Sequence, residues 1–178
     1  MRNILVVVDM QNDFIDGALG TKEAQEIVDR AADKIRRFEG DIYGTLDTHQ
    51  KDYLTTQEGK NLPVPHCICG EEGWALNSEI MEAISESKGN VHSFCRKETF
   101  GSMELADLIK KDCKDEEIQI ELIGLCTDIC VISNAMILKA AFPEAVVSVD
   151  ATCCAGVTPD SHQNALEAMK MCQIEITC

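Results

Sequence analysis

IQIELIGLCTDICVISNAMILKAA, residues 118 to 141, joins a short apolar β-rich run to an apolar stretch that is long enough for a helix. We predict a strand over 118–124 and a helix over 127–142. Cys126 lies in the bend between them, and Cys130 lies in the first turn of the predicted helix. A strand that passes directly into a helix is the repeating unit of an α/β fold, so this stretch sets the fold class.

The rest of the chain repeats this alternation. We predict further strands over 3–8, 41–49, 91–95, 145–149 and 173–177. A Thr, Asn or Ser precedes three of the other predicted helices, which run over 22–38, 78–87, 103–111 and 159–171. Such alternation implies a mostly parallel sheet with helices on both faces. The 178 residues suit one compact domain, residues 1–178.

One segment, residues 50–76, fits neither the strand nor the helix pattern. It contains two prolines and three glycines. A loop of this length inside a small domain is usually functional or disordered. This segment is therefore a candidate location for binding residues.

The composition excludes two classes of partner. The formal net charge is -15 and the sequence pI is about 4.5, so the chain would repel a nucleic-acid backbone and an anionic membrane surface. The opening run MRNILVVVDM is too short for a signal segment or a membrane span. We expect a cytoplasmic protein with no membrane partner, in which the 10 cysteines are free thiols.

Open parallel sheets bind ligands beyond the carboxyl ends of their strands, which selects a few residues of this chain. Asp9 follows the first strand, Asp47 and His49 end the second, Lys97 follows the third, and Cys130 follows the fourth. Taken alone, Asp9 could equally accept backbone hydrogen bonds in a loop, and Lys97 could be a solvated charge. Position singles out Cys130, because unpaired N–H groups at a helix N-terminus favour a thiolate and can hold an oxyanion.

A second group of residues suits a metal ion. Asp47 and His49 are two apart at a strand end, so both side chains can point to the same side, and His66 lies in the long loop. Two imidazoles and one carboxylate suit zinc, iron or manganese. Two alternatives stay open. In the first, Asp47 and His49 are unrelated loop residues. In the second, Cys67 and Cys69 beside His66 form a thiolate-rich zinc site. The second ranks lower than the Asp47, His49 and His66 site, because no second C-x-C or C-x-x-C motif accompanies the two cysteines.

Five motifs occur in order along the chain: DMQNDF with Asp9, DTH with Asp47 and His49, PHC with His66, RKETFGS with Lys97, and GLCTDICV with Cys130. Together they resemble the isochorismatase-like cysteine hydrolases, and within them the nicotinamidases most closely. Each motif is modest alone, whereas the ordered set is specific. The resemblance covers nearly the whole chain.

The resemblance implies a three-layer Rossmann-like α/β fold whose six-stranded parallel sheet has the order 3-2-1-4-5-6. The switch in strand order then falls between strands one and four, which places Asp9 beside Cys130. The resemblance also implies a non-proline cis peptide between Leu125 and Cys126, which would aim the N–H groups of Cys126 and Cys130 at an oxyanion. In the implied reaction Asp9 is the general base, Cys130 attacks a carboxamide carbon to give a thioester, and Lys97 stabilises the anions.

The resemblance assigns the metal site as well. Asp47, His49 and His66 would bind a divalent ion, with zinc favoured over iron or manganese. Glu58, in the long loop, resembles the fourth ligand of some relatives. The ion would hold the pyridine nitrogen of nicotinamide and so orient the substrate.

The implied substrate is a small carboxamide, with nicotinamide favoured, and Phe14 and Trp74 are expected to contact its flat ring. A thiol at position 130 argues for C–N hydrolysis, because isochorismatases that cleave vinyl ethers lack it. Relatives are often dimers or larger, so we expect a homo-oligomer. Two alternatives stay open: a metal-independent amidase for ureido or carbamoyl compounds, suggested by the altered segment 62–65, and a thiol-rich metal-binding protein, suggested by the many cysteines.

Overall fold

The computed structural model describes residues 1–114 and 116–178. Within these residues six parallel strands form one sheet in the order β3-β2-β1-β4-β5-β6, which confirms the order that the resemblance implied. The strands are β1 Arg2–Val8, β2 Asp41–Asp47, β3 Asn90–Lys97, β4 Ile118–Leu125, β5 Val146–Ala155 and β6 Glu175–Thr177.

Helices cover both faces of the sheet, as predicted. Within the described part of the chain they are α1 Asn12–Ile15, α2 Lys22–Arg37, α3 Gln57–Asn61, α4 Ser78–Ser85, α5 Met103–Cys113, α6 Ile132–Ala141 and α7 Pro159–Met171. Helices α1, α2 and α4 pack on one face, and α5, α6 and α7 pack on the other. Among the helices in these described ranges, none has the length and apolar character needed to cross a membrane.

The central strand β1 explains why both faces must be covered. Residues 4–8 are at most 1 % exposed. Ile4, Val6 and Val8 join the core under α5, α6 and α7, whereas Leu5 and Val7 join the core under α2 and α4. Side chains alternate between faces along a strand, so a continuous apolar run is buried only when helices lie on both sides. Burial of each such side chain contributes about 1.5–3 kcal/mol.

The predicted N-caps of three helices are confirmed. The hydroxyl oxygens of Thr21 and Ser102 each accept a hydrogen bond from the backbone N–H three residues further on, at 3.0 and 3.1 Å. The side-chain oxygen of Asn77 accepts one from the N–H two residues further on, at 3.0 Å. These bonds satisfy N–H groups that have no partner inside the helix, so the helix starts follow from local sequence.

The fifth strand is longer than the predicted 145–149, because β5 continues to Ala155. Asp150 and Thr152 interrupt the apolar pattern there. In the fold Lys34 Nζ lies 2.5 Å from Asp150 Oδ2, and the Thr152 hydroxyl donates to Asp150 Oδ1 at 2.6 Å. A partner from α2 therefore allows a buried carboxylate to remain inside the strand, which the local pattern does not reveal.

The strand order places the carboxyl ends of β1 and β4 side by side. Val8 is paired with Gly124 in the parallel register. Gly124 has φ +121°, and a Cβ atom there would overlap the carbonyl oxygen of Val8. Glycine thus allows the two backbones to approach closely where both leave the sheet. Asp9 after β1 and the bend after β4 are therefore neighbours.

The chain after β4 differs from the single helix predicted over 127–142. Thr127–Val131 forms a π-helical turn, and α6 follows it. The carbonyl oxygen of Cys126 accepts hydrogen bonds from the N–H of Ile129 at 3.1 Å and of Val131 at 3.0 Å. Apolar periodicity does not distinguish such a turn from the start of an α-helix. Single π-helical turns are rare and occur frequently at functional sites.

Asp41→Asn is expected to weaken the fold at neutral pH and to have little effect in acid. Arg2 Nε donates to the buried Asp41 Oδ2 at 2.6 Å, and this bond is the main reason why the pKa of Asp41 lies below its ordinary value. A lowered pKa in the folded state means that the carboxylate contributes stability above its ordinary pKa and loses it as the pH falls through the folded value. We expect a loss of about 1–2 kcal/mol in urea unfolding near neutral pH, shrinking below about pH 4.

The control for this prediction is Asp29→Asn, which changes an exposed carboxylate on α2. It should unfold like the wild type at every pH. A loss for Asp41→Asn that stayed constant down to about pH 3 would contradict the assignment of the stability to this ion pair.

Candidate active site

A buried ammonium group joins the strand ends at the carboxyl edge of the sheet. Lys97, the last residue of β3, places its Nζ 2.6 Å from Asp9 Oδ2, 3.2 Å from Asp47 Oδ1 and 3.4 Å from Cys130 Sγ. Asp9, Lys97 and Cys130 are at most 5 % exposed. The structure therefore brings together the acid, the amine and the thiol that the sequence selected, with Asp47 at their border.

Asp9 is held in an unusual backbone conformation with φ +47°. Its N–H donates to the carbonyl of Thr45 at 3.2 Å, and the hydroxyl of Thr45 donates to Asp9 Oδ1 at 2.7 Å. Oδ2 lies 2.6 Å from the Lys97 ammonium, a contact that lowers the pKa of Asp9 against the effect of burial. Left-handed backbone in a non-glycine residue is costly and is concentrated at functional sites. The Thr45 hydroxyl and the Lys97 ammonium therefore hold the two carboxylate oxygens of Asp9 in place.

Burial dominates the proton affinities of this group. It raises the pKa of Cys130 well above its ordinary value, and the nearby charge of Asp9 raises it further. Burial also raises the pKa of Asp9 by more than Lys97 lowers it. Burial lowers the pKa of Lys97, but Asp9, Cys130 and Asp47 together raise it more, so the ammonium stays charged. The resting thiol is therefore protonated, contrary to the lowered pKa that its helix position suggested.

One backbone feature that the resemblance implied is present in the turn that carries Cys130. The peptide bond between Leu125 and Cys126 is cis. The carbonyl of Cys130 accepts a hydrogen bond from Asn134 Nδ2 at 2.8 Å, and the side-chain oxygen of Asn134 accepts one from the N–H of Ser102 at 3.0 Å. Helices α5 and α6 therefore hold the turn together through one buried amide.

Two further contacts of this turn were missed by sequence reasoning. The hydroxyl of Thr127 lies 2.8 Å from His162 Nδ1 on α7. The carboxylate of Asp128 accepts a hydrogen bond from the N–H of Val157 at 3.1 Å. His162 and Val157 lie far along the chain, so no local pattern identifies these contacts.

Asp47, His49 and His66 form a compact buried cluster. One ligand atom from each lies within 4.8 Å of the others. Asp47 Oδ2 lies 3.0 Å from Nε2 of His49 and 3.4 Å from Nε2 of His66. Nδ1 of His66 donates to the carbonyl of Val64 at 2.8 Å, which fixes the ring with its Nε2 facing the cluster. Two imidazoles and a carboxylate, all buried, are a donor set that fits zinc, iron or manganese.

Glu58 extends this cluster toward solvent. Its Oε1 lies 3.5 Å from Nε2 of His49 and 3.7 Å from Nε2 of His66, and its side chain is 20 % exposed. Burial raises the pKa of Asp47, but hydrogen bonds from the two histidines and the charge of Lys97 lower it by more, so this carboxylate is ionised. Two carboxylates are therefore available to offset the charge of a divalent ion.

Gln11 is a buried residue of the site that sequence reasoning missed. Its Oε1 accepts a hydrogen bond from the N–H of Asp47 at 2.7 Å, and its Nε2 donates to the carbonyls of Asp47 and Trp74, both at 2.8 Å. Gln11 thus fixes the backbone of a candidate metal ligand and ties it to the long loop. Its only local signal is its place two residues after Asp9 in DMQNDF.

Aromatic rings pack against both imidazoles. The ring centroid of Tyr53 lies 4.6 Å from that of His49 and 5.0 Å from that of His66. The hydroxyl of Tyr53 donates to the carbonyl of Leu62 at 3.0 Å. Phe14 meets His66 edge-on with centroids 5.6 Å apart. These contacts restrict the orientation of the two candidate ligands.

A cavity of about 870 Å³ opens beside the cluster. His49, Tyr53 and Glu58 line it on the side of the candidate metal ligands, and Ile129 lines it next to Cys130. Ile129 is a residue that sequence reasoning did not select. The cavity therefore borders His49, Glu58 and the turn that carries Cys130, whereas Asp9, Lys97 and Cys130 are not among its lining residues.

The two aromatic residues expected to contact a substrate ring do not line this cavity. Phe14 is 7 % exposed and packs on His66. Trp74 Nε1 donates to the hydroxyl of Thr48 at 2.9 Å, and the guanidinium of Arg96 stacks over its ring. Phe14 and Trp74 therefore pack against residues of the site without lining the cavity. Their contact with a substrate stays a prediction.

The thiolate-rich zinc site near Cys67 gains no support. Among the residues that the structure describes, the group of side chains able to hold an ion is Asp47, His49 and His66. Cys67 is buried, burial raises the pKa of its thiol, and its N–H donates to Asp13 Oδ2 at 2.7 Å. All 10 cysteines lie in the described ranges and are free thiols.

Comparisons with known proteins agree with this geometry. The chain matches the Isochorismatase domain over residues 3–178. The nicotinamidase/pyrazinamidase of Mycobacterium tuberculosis (strain ATCC 25618 / H37Rv) is 27 % identical, with 98 % of this chain and 97 % of the relative covered. The pyrazinamidase of Pyrococcus horikoshii in complex with zinc has a TM-score of 0.74, 24 % identity and 99 % of each chain covered. The N-carbamoylsarcosine amidase of Thermoplasma acidophilum has a TM-score of 0.73 and 24 % identity, with 99 % of this chain and 96 % of that chain covered.

The fold and the matched residues define an α/β hydrolytic enzyme, and the relatives are amidohydrolases that act on C–N bonds. The chain belongs to the isochorismatase domain family. This confirms the family that the five ordered motifs indicated.

Proposed function

We propose that this chain is a metal-containing cysteine amidohydrolase that converts nicotinamide into nicotinate and ammonia. The observation that carries the proposal is the buried contact of Lys97 Nζ with both Asp9 Oδ2 and Cys130 Sγ. A nucleophile, a proton acceptor and a fixed cation are the groups that amide hydrolysis through a thioester needs. The similarity to the Mycobacterium tuberculosis nicotinamidase/pyrazinamidase supports the choice of substrate.

In the first half of the proposed reaction, Asp9 accepts the thiol proton and Cys130 Sγ attacks the carboxamide carbon. Lys97 remains charged and stabilises the sulfur anion as it forms. The N–H groups of Cys126 and Cys130 are the proposed donors to the oxyanion. Asp9 then gives its proton to the leaving nitrogen, so ammonia departs and a thioester remains.

In the second half, water attacks the thioester carbon while Asp9 accepts a proton from it. The C–S bond breaks, the acid product leaves, and the sulfur of Cys130 takes the proton back from Asp9. The enzyme is thereby returned to its starting protonation state. The raised pKa of Asp9 suits it both to accept and to donate a proton. It brings the proton affinity of Asp9 closer to that of the thiol, the leaving nitrogen and the water with which it exchanges protons.

The proposed metal ligands are Asp47, His49 and His66, with Glu58 as a fourth. Their donor atoms and burial fit zinc, iron or manganese, and the zinc complex of the Pyrococcus horikoshii pyrazinamidase favours zinc. When bound, a divalent ion supplies a coordination position for the ring nitrogen of the substrate. His49 and Glu58 also line the cavity, so a substrate bound there would lie beside the ion that they would hold.

Gln11→Ala is expected to weaken zinc binding by about 10–100-fold. The substitution removes all three hydrogen bonds that fix the backbone of Asp47 and the loop at Trp74. Zinc affinity is measured by competition with a chromophoric chelator. Gln25→Ala, at an exposed position of α2, is the control and should bind zinc like the wild type. Equal affinities for the Gln11 variant and the wild type would show that Gln11 does not support the metal site.

The test of the proposed function is ammonia release from nicotinamide by protein stripped with a chelator and reloaded with zinc, iron or manganese in turn. We expect turnover that depends on the added metal. No ammonia from any amide under any of these conditions would contradict the proposal.

A second candidate is an amidase for ureido or carbamoyl compounds. The fold of the Thermoplasma acidophilum N-carbamoylsarcosine amidase and the altered segment 62–65 favour it. Turnover of N-carbamoylsarcosine with a kcat/KM about tenfold or more above that of nicotinamide would replace the first candidate by the second.

A further inference from the structure

The cavity beside the candidate metal ligands has a one-sided charge distribution. Asp52, Glu58 and Glu98 line it, and none of the described residues lining it is Lys or Arg. Asp52 and Glu98 are exposed, whereas Glu58 is partly buried and lies close to His49 and His66. If Glu58 serves the metal, the charges left to face a ligand are those of Asp52 and Glu98.

The cations near the cavity are engaged elsewhere or lie outside its lining. Lys97 is buried and is held by two carboxylates. The guanidinium of Arg96 lies 4.9 Å from the ring centroid of Trp74, which is outside the lining. Lys51 and Lys60 are exposed and do not line the cavity either. Apart from the proposed metal ion, a carboxylate on a ring substituent would therefore meet two acids and no Lys or Arg among the lining residues.

The cavity is also larger than a bare pyridine carboxamide requires. Its volume is about 870 Å³, and pockets of roughly 300–1,000 Å³ hold drug-sized ligands. Leu62, Phe100 and Ile129 provide apolar wall. Ile129, which precedes Cys130 in the chain, lines the same cavity as Glu98 and Phe100, so the cavity offers room for a ring substituent next to the turn that carries Cys130.

We propose, on the basis of the function proposed above, that Asp52 and Glu98 make the site selective for carboxamides whose remaining part is neutral or cationic. A carboxylate about 8 Å from each acid would lose about threefold to tenfold in affinity per acid at low salt, because like charges at a partly exposed site repel. Added salt screens the effect. The same repulsion acts against N-carbamoyl amino acids, which carry a carboxylate, and so separates the two candidate functions.

The experiment uses three pyridine-3-carboxamides that carry an aminomethyl, a hydroxymethyl or a carboxylate group at the same ring position. Binding to the zinc-loaded Cys130→Ala protein is measured by calorimetry, and turnover by the zinc-loaded wild-type protein is measured by ammonia release. The carboxylate compound is expected to bind about tenfold or more weakly than the hydroxymethyl compound at low salt. Asp52→Asn and Glu98→Gln should each lower the ratio of hydroxymethyl to carboxylate affinity, and the double variant should lower it further. The control Glu144→Gln changes an exposed acid before β5, at the opposite edge of the sheet, and should leave the ratio unchanged.

The outcomes separate this inference from the proposed function. Charge-ordered binding without turnover of any amide would support the selectivity and overturn the hydrolysis. Two results would overturn the selectivity and leave the hydrolysis standing. One is turnover together with equal affinities for the three compounds. The other is a ratio of hydroxymethyl to carboxylate affinity that Glu98→Gln and Asp52→Asn leave unchanged. Binding of none of the three compounds would overturn the selectivity, and ammonia release from nicotinamide itself would then decide the hydrolysis.

Discussion

Cys130→Ser is expected to lower kcat for ammonia release by about a thousandfold or more while the fold is retained. Burial and the charge of Asp9 raise the pKa of the Cys130 thiol, so its proton must be removed within the reaction. A serine hydroxyl ionises far less readily than a thiol, and the same carboxylate is too weak a base to activate it. Ammonia release gives the rate. Mass spectrometry of wild-type protein quenched during turnover should show an added acyl group on the peptide that contains residue 130.

The matched control is Cys154→Ser. Cys154 is 4 % exposed and lies on β5, where it pairs with Gly124 of β4, so it is as buried as Cys130, which lies in the turn that follows β4. Burial raises the pKa of its thiol, and the ionisable neighbours that act on this pKa include Cys153, Asp150 and Lys34. The control should keep near wild-type kcat even where stability falls. A Cys130→Ser variant that kept more than about a tenth of wild-type kcat would exclude this sulfur as the nucleophile.

The strand ends could be located from the sequence, whereas the contacts between them could not. Asp9, Asp47 and Lys97 each end or follow an apolar run, and a parallel sheet gathers such positions at one edge. Lys97 is paired in register with Asp47, and β2 separates it from β1, so its ammonium reaches Asp9 across an intervening strand. That geometry depends on the strand order, which came from the family resemblance and not from hydrophobic periodicity.

The remaining differences have the same origin in long-range packing. A thiol near a helix N-terminus was expected to have a lowered pKa, but the side chains that cover Cys130 come from distant segments and raise it. Gln11 acts on Asp47, 36 positions away. Asp150 remains inside β5 because Lys34 of α2 lies beside it. The residue type indicates which interactions a side chain can form, whereas the contact partner depends on long-range packing in the fold.

Lys97→Met is expected to abolish turnover and to lower the free energy of unfolding by about 3–5 kcal/mol. Methionine is similar in length, so packing is largely kept, but Asp9 and Asp47 are left as buried carboxylates without the ammonium between them. Burial already holds the pKa of Asp9 above its ordinary value with the cation in place. Urea unfolding near neutral pH measures the loss. Lys110→Met, at an exposed position of α5, is the control and should unfold like the wild type.

The double variant Asp9→Asn/Lys97→Met separates charge balance from catalysis. Removal of both members of the closest ion pair leaves less uncompensated buried charge, so about half or more of the stability lost by Lys97→Met should return. Turnover should not return, because the proton acceptor and the cation are both absent. A stable but inactive double variant is the result that a catalytic role predicts. If Lys97→Met were as stable as the wild type, or if the double variant hydrolysed amides, the contact of Lys97 with Asp9 and Cys130 would not be the reaction machinery.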